Sequence, residues 1–151
     1  MIVDLPPGTG DTQLTLSQKI PVSGAVIVTT PQDIALIDAQ KGLAMFEKVN
    51  IPILGIVENM SIHICSNCNH AEEIFGNGGG ERMAASSKTK FLGALPLKLE
   101  IRTDVDEGTP SVAKDPESKV SMMYQQIARN VAATLSLQSE SIGAFPKITI
   151  E

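Results

Sequence analysis

The stretch that decides the fold is AVIVTTPQDIALIDAQKGLAMFEKVNIPILGIV, residues 25–57. It opens with Ala25–Thr29, apolar and β-branched without alternation, the pattern of a strand buried on both faces of a parallel sheet. A helix start follows. Thr30 offers a hydroxyl cap, Pro31 suits the first helical position, and Asp33 stands three residues after the cap. Leu36, Ala39, Leu43 and Phe46 then recur at spacings of three and four, forming one apolar stripe. Asn50 and Pro52 end the helix before a second continuous apolar run at residues 53–57. Strand, helix and strand at this spacing predict a right-handed crossover and an α/β layered domain.

Two further runs, residues 2–5 and 91–95, read the same way, so the expectation is a parallel sheet of such strands flanked by helices. A last helix is announced by Asp115 and Pro116 and carries Val120, Met123, Ile127, Val131 and Leu135 as its packing stripe. Residues 138–151, with Gly143 and Pro146, read as a tail, either loop or short edge strand. Residues 1–137 thus make one domain. A buried strand that begins at residue 1 lacks any lead-in, so the domain reads as truncated at its N-terminus; an ordinary domain with an early first strand is the other reading.

The composition of the 151 residues sets limits on function. With 42% hydrophobic residues the chain can bury a core, and a net charge of −5 argues against nonspecific nucleic-acid or anionic-membrane binding, which uses basic patches. No apolar run approaches the roughly 18 residues of a membrane span, and no signal peptide precedes the first strand. Two cysteines cannot build a disulfide framework. A cytoplasmic protein is the expectation.

Four motifs bear on chemistry. Asp4-Leu5-Pro6-Pro7-Gly8-Thr9-Gly10-Asp11 follows the first run. An acidic residue at the carboxyl end of a parallel strand faces the crevice where α/β folds bind ligands, and a carboxylate there can hold Mg²⁺ through water. The glycine-containing turn can present amides to a phosphate; otherwise the segment is a plain loop whose aspartates cap a helix. Cys65-Ser66-Asn67-Cys68, flanked by His63 and His70, places two thiolates on one tight turn. That is half of the four ligands that zinc or an iron–sulfur cluster usually takes. The set can be completed by the two histidines, which otherwise read as solvated loop residues, or by a second chain's own pair; the cysteines can also serve as a redox dithiol. Gly76-Asn77-Gly78-Gly79-Gly80 opens a helix-prone stretch, but Glu81-Arg82 follow where a phosphate loop needs Lys and Ser/Thr, so it reads as a flexible hinge. Asn59, in Gly55-Ile56-Val57-Glu58-Asn59-Met60, stands at a strand end, where its amide can pair with a purine edge or cap a loop.

The order of these segments, continued by Val28-Thr29-Thr30-Pro31-Gln32, Leu92-Gly93-x-Leu95-Pro96-Leu97, Ile101-Arg102, Asp106-x-Gly108-x-Pro110 and Asp115-Pro116, closely resembles the Mrp/ApbC-type iron–sulfur cluster carriers over about residues 1–137. The resemblance implies a P-loop ATPase related to MinD and the nitrogenase iron protein. Such a protein works as a homodimer that bridges a [4Fe–4S] cluster through the Cys-x-x-Cys of each subunit, uses ATP and Mg²⁺, and passes the cluster to apo-proteins. By that resemblance Asp4 is the Walker B carboxylate near Mg²⁺, Gly8 the switch glycine that senses the γ-phosphate, and Asp11 the close of the same switch. Asn59 is the adenine reader, Pro96 lines the base pocket, and Cys65 and Cys68 are the cluster ligands. One departure stands out: the Gly-Lys-rich loop of the family does not occur in these 151 residues, so hydrolysis by them alone is not expected. The alternative reading is a non-enzymatic interaction module, zinc-bound through Cys65, Cys68 and the histidines, or metal-free. A MinD-like positioning ATPase is disfavoured because residues 142–151 do not form a basic amphipathic membrane helix.

Overall fold

The computed structural model of the protein describes residues 1–5, 10, 15 and 19–138. Three parallel strands, β1 (Ala25–Thr29), β2 (Ile53–Glu58) and β5 (Phe91–Ala94), form a sheet in the order β1-β2-β5. The helix α1 (Asp33–Lys48) connects β1 to β2, and α2 (Gly79–Ser86) leads into β5. Two two-residue strands, β3 (His63–Ile64) and β4 (Ala71–Glu72), pair antiparallel between β2 and α2. After β5 come α3 (Leu99–Asp106), α4 (Ser111–Lys114) and the long α5 (Lys119–Gln138).

β2 and β5 are covered on both sides, which suits their unbroken apolar sequence, while β1 is covered on one face and leaves Val28 59% exposed on the other. On one face Ile27 and Ile56 pack with Leu43 of α1 and with Met83 and Ala84 of α2. On the other, Val57, Leu92 and Leu95 meet Tyr124, Ile127 and Val131 of α5. Ile56 of the central strand and Leu92 of β5 are 0% and 1% exposed, so the core reaches both helical layers. α5 lies so close to β5 that a Cβ at Gly93 would stand 2.8 Å from Ile127 Cγ1. Asn130 Nδ2 adds a 2.8 Å hydrogen bond to the Leu92 carbonyl.

Several expectations need correction. Residues 2–5 form no strand: Met1, Ile2 and Val3 are 104%, 99% and 44% exposed. A parallel strand exists only beside a neighbour that takes up its N–H and C=O groups, and none of the described strands lies beside this run. The N-cap of α1 is Gln32 rather than Thr30; Thr30 Oγ1 hydrogen-bonds the Gln32 side chain instead of an amide of the first turn. The helix stops where the sequence says it should, with Asn50 left-handed at φ 58° and Ile51 N–H bonded to Phe46 O. The tail 139–151 lies outside the described residues, as does the stretch 142–151 on which the MinD-like reading was judged. Among the described residues no helix is long and apolar enough to cross a membrane.

Candidate functional site

The carboxyl ends of the three strands gather two of the segments singled out in the sequence, those of Asn59 and Pro96. Asn59 N–H bonds Thr29 O at 2.7 Å, tying the end of β2 to the end of β1, and Leu95 N–H bonds Glu58 O at 2.8 Å, tying β5 to β2. Asn59 and Pro96 therefore stand at one edge of the sheet. Asn59 also borders a cleft of about 440 Å³ along β1 and α1, with Thr30, Asp38 and Gly42 on its walls. The Asn59 amide is engaged locally, its Oδ1 accepting Met60 N–H at 2.9 Å, and Pro96 is buried.

The cysteine motif sits on a hairpin that rises from this same edge. β3 and β4 pair His63 with Glu72 and Ile64 with Ala71. Cys65 N–H then bonds His70 O at 3.0 Å, and Asn69, left-handed at φ 55°, returns its N–H to Cys65 O at 2.9 Å. The turn is thus closed by its own backbone, with Cys65 half-buried and Cys68 exposed, both as free thiols. The amide N–H of Cys68, then that of Asn67 and the Cys68 thiol, point at the Cys65 sulfur and hold its pKa below the ordinary thiol value; burial opposes this weakly. Donors aimed at a sulfur favour the thiolate, the form that binds metal.

The base of the hairpin is moored to the segment that follows β5. Ser61 gives Leu95 O both its N–H (2.9 Å) and its hydroxyl (3.1 Å), and Leu97 N–H bonds Ile62 O at 2.8 Å. His63 pairs with Leu97 as a parallel bridge, and its Nδ1 donates to Leu97 O at 3.2 Å. This bond anchors His63 through Nδ1–H and leaves its Nε2 open, and His70 joins the turn through its carbonyl. Among the described residues no three His, Cys, Asp or Glu side chains converge as a metal site. The alternative of zinc held by Cys65, Cys68 and the histidines thus finds no gathered ligand set among the described residues.

The proposed phosphate-facing residues are not assembled. Asp4 is exposed in the irregular segment 1–5, and Gly8 and Asp11 lie outside the described residues. The glycine run departs from the hinge expected of it. Gly79 and Gly80 are buried in the first turn of α2, where a Cβ on Gly79 would meet Pro31 O at 2.8 Å. Glu58 is a residue the sequence reading passed over. It is 3% exposed, and its Oε2 accepts Gly80 N–H at 2.7 Å. The signal was a single charge closing an otherwise apolar strand.

The family described as "ParA: NUBPL iron-transfer P-loop NTPase" matches residues 1–132. The chain belongs to this family. The family's parallel sheet, flanked by helices, is the one seen here. Within it, the iron-sulfur cluster carrier protein of Escherichia coli is 61% identical over 142 residues, which are 94% of this chain and 38% of that protein. The iron-sulfur cluster transfer protein NUBPL of Mus musculus is 50% identical over 140 residues, 93% of this chain and 44% of that protein. The chain thus spans less than half the length of these curated relatives. The nucleotide-binding protein from Archaeoglobus fulgidus, solved in complex with ADP, superposes with a TM-score of 0.63 at 36% identity, covering 76% of this chain and 46% of its own. The resemblance read from the order of the motifs is therefore borne out at the level of family and fold.

Proposed function

We propose that this chain carries the cluster-binding element of an iron–sulfur cluster carrier. Its cargo is a [4Fe–4S] cluster, held by Cys65 and Cys68 of one copy together with the same pair of a second copy, and handed on to apo-proteins. The observation that carries the reading is the hairpin itself: two thiols on one turn, at least one biased towards thiolate, with no third ligand gathered beside them among the described residues. A cluster of this kind takes four thiolates, so two are an incomplete set, and a two-fold axis completes it with the same surface of a second copy. Transfer follows from the exposure of Cys68, whose sulfur an incoming thiolate can reach and replace.

In this reading Asn59 and Pro96 border the base of a bound nucleotide at the strand ends, and Asp4, Gly8 and Asp11 belong to the phosphate and Mg²⁺ side. The described residues do not bring Asp4 to that edge, and the sequence contains no Gly-x-x-x-x-Gly-Lys-Ser/Thr stretch. We therefore derive no hydrolytic step from these residues. The test is anaerobic reconstitution with ferrous iron and sulfide. The reading expects a broad visible charge-transfer band that Cys65→Ser and Cys68→Ser each abolish. A chain that stays colourless, or a band that survives both substitutions, overturns it.

A further inference from the structure

The hairpin that carries Cys65 and Cys68 belongs to a longer excursion, residues 59–79, that leaves the sheet after β2 and returns as α2. Glu58 is the last residue before it, and Gly80, in the first turn of α2, stands just past its end. The 2.7 Å hydrogen bond from Gly80 N–H to Glu58 Oε2 joins two residues 22 positions apart and closes the loop at its base. This bond has unusual reasons to be strong. A carboxylate 3% exposed is costly unless hydrogen-bonded. A first-turn amide is one of the donors a helix leaves unpaired, and it points with the positive end of the helix dipole.

The neighbouring atoms leave the two partners no slack. A Cβ on Gly80 would stand 3.0 Å from Glu58 Cβ, and one on Gly79 would stand 2.8 Å from Leu36 Cδ1. The backbone of Glu58 meanwhile accepts Leu95 N–H, and Leu95 O in turn accepts Ser61. Both arms of the excursion thus trace to one residue, the incoming arm through its carbonyl and the outgoing arm through its carboxylate.

We infer that Glu58 is the positioning residue that fixes the cysteine excursion at its root, so that the thiol pairs of two copies can meet in one orientation. The inference rests on the carrier reading for its purpose, but its structural part stands apart from it. Two variants test it in the full chain: Glu58→Ala, which removes the acceptor, and Glu58→Gln, which keeps an amide oxygen for Gly80. Amide hydrogen exchange is followed for Gly80, for residues 61–76, and for Ile56 and Leu92 in the sheet, and the lifetime of the reconstituted cluster is followed in parallel.

In Glu58→Ala, exchange of Gly80 and the 61–76 amides is expected to rise about tenfold or more, the scale of a lost hydrogen bond to a charged group. Ile56 and Leu92 stay protected, the cluster decays faster by a similar factor, and Glu58→Gln restores most of both. Unchanged exchange in the excursion overturns the inference. So does a rise shared equally by Ile56 and Leu92, which would make Glu58 a general stability residue, and so does a Glu58→Gln variant no better than Glu58→Ala. If the unaltered chain takes no cluster, the carrier reading fails while the exchange data still decide whether Glu58 closes the loop.

Discussion

Replacing Gly93 with alanine tests how α5 seats on the sheet. The added Cβ would lie 2.8 Å from Ile127 Cγ1 and 3.3 Å from its Cδ1. Ordinary carbon contacts sit at about 3.5–4.0 Å, so a gap of roughly 0.7 Å or more has to open. Cγ1 is near the root of its side chain, and α5 itself must give. Overpacking of this kind costs about 1–3 kcal/mol, and φ of +145° at Gly93 adds backbone strain for any L side chain. A total near 2 kcal/mol lowers the melting temperature by about 5–10 °C for a domain of this size. Urea unfolding of Gly93→Ala, Ile127→Ala and the double variant measures it. Ile127→Ala removes both clashing carbons, so the double variant should recover at least about 1 kcal/mol over additivity, the backbone part persisting. Additivity within about 0.5 kcal/mol would refute the packing.

Three further outcomes follow from the same geometry. Asp104 accepts Lys114 Nζ at 2.6 Å and Ser111 Oγ at 2.9 Å, and these hold its carboxyl below the ordinary aspartate value of 3.8. Its contribution is therefore present above that value and lost as pH falls through the lower folded-state value. Urea titrations in the acid range should show this slope in the unaltered chain and not in Asp104→Asn. Cys65 should react with iodoacetamide from a pH below the ordinary thiol range, and Cys68→Ser should raise that onset only in part, since the amides of Cys68 and Asn67, the stronger donors to its sulfur, survive the change. His63→Ala removes the bond to Leu97 O, worth about 1 kcal/mol, and should speed exchange of the Leu97 amide about fivefold without moving that of Ile56.

What could be read from the sequence was what repeats over several residues. β1, β2, β5, α1 and α5 each carry a continuous apolar run or a helical stripe, and each forms close to where its pattern lies. The run at residues 2–5 has the composition of a strand, but pairing is a property of neighbours, and exposure of Ile2 at 99% shows what composition alone leaves open. β3 and β4 are too short, at two residues each, to hold any period. α3 shows no stripe because Leu99 and Val105 face outward, 62% and 56% exposed. At the site, the cysteine spacing was legible as a candidate ligand pair, while the hydrogen bond of Glu58 is made to a partner 22 residues away. The glycine run looked loose because glycine permits many conformations; at Gly79 and Gly80 it is needed because Pro31 and Glu58 crowd the place of a side chain.

The central claim is that one copy supplies half a ligand set. Iron and protein assay of the anaerobically loaded chain, with the mass of the coloured species taken by sedimentation, tests it directly. Four thiolates shared by two copies predict about two iron atoms per chain, all in a dimer that falls apart when the cluster is removed. One metal ion, or a whole cluster, on a monomer would contradict it.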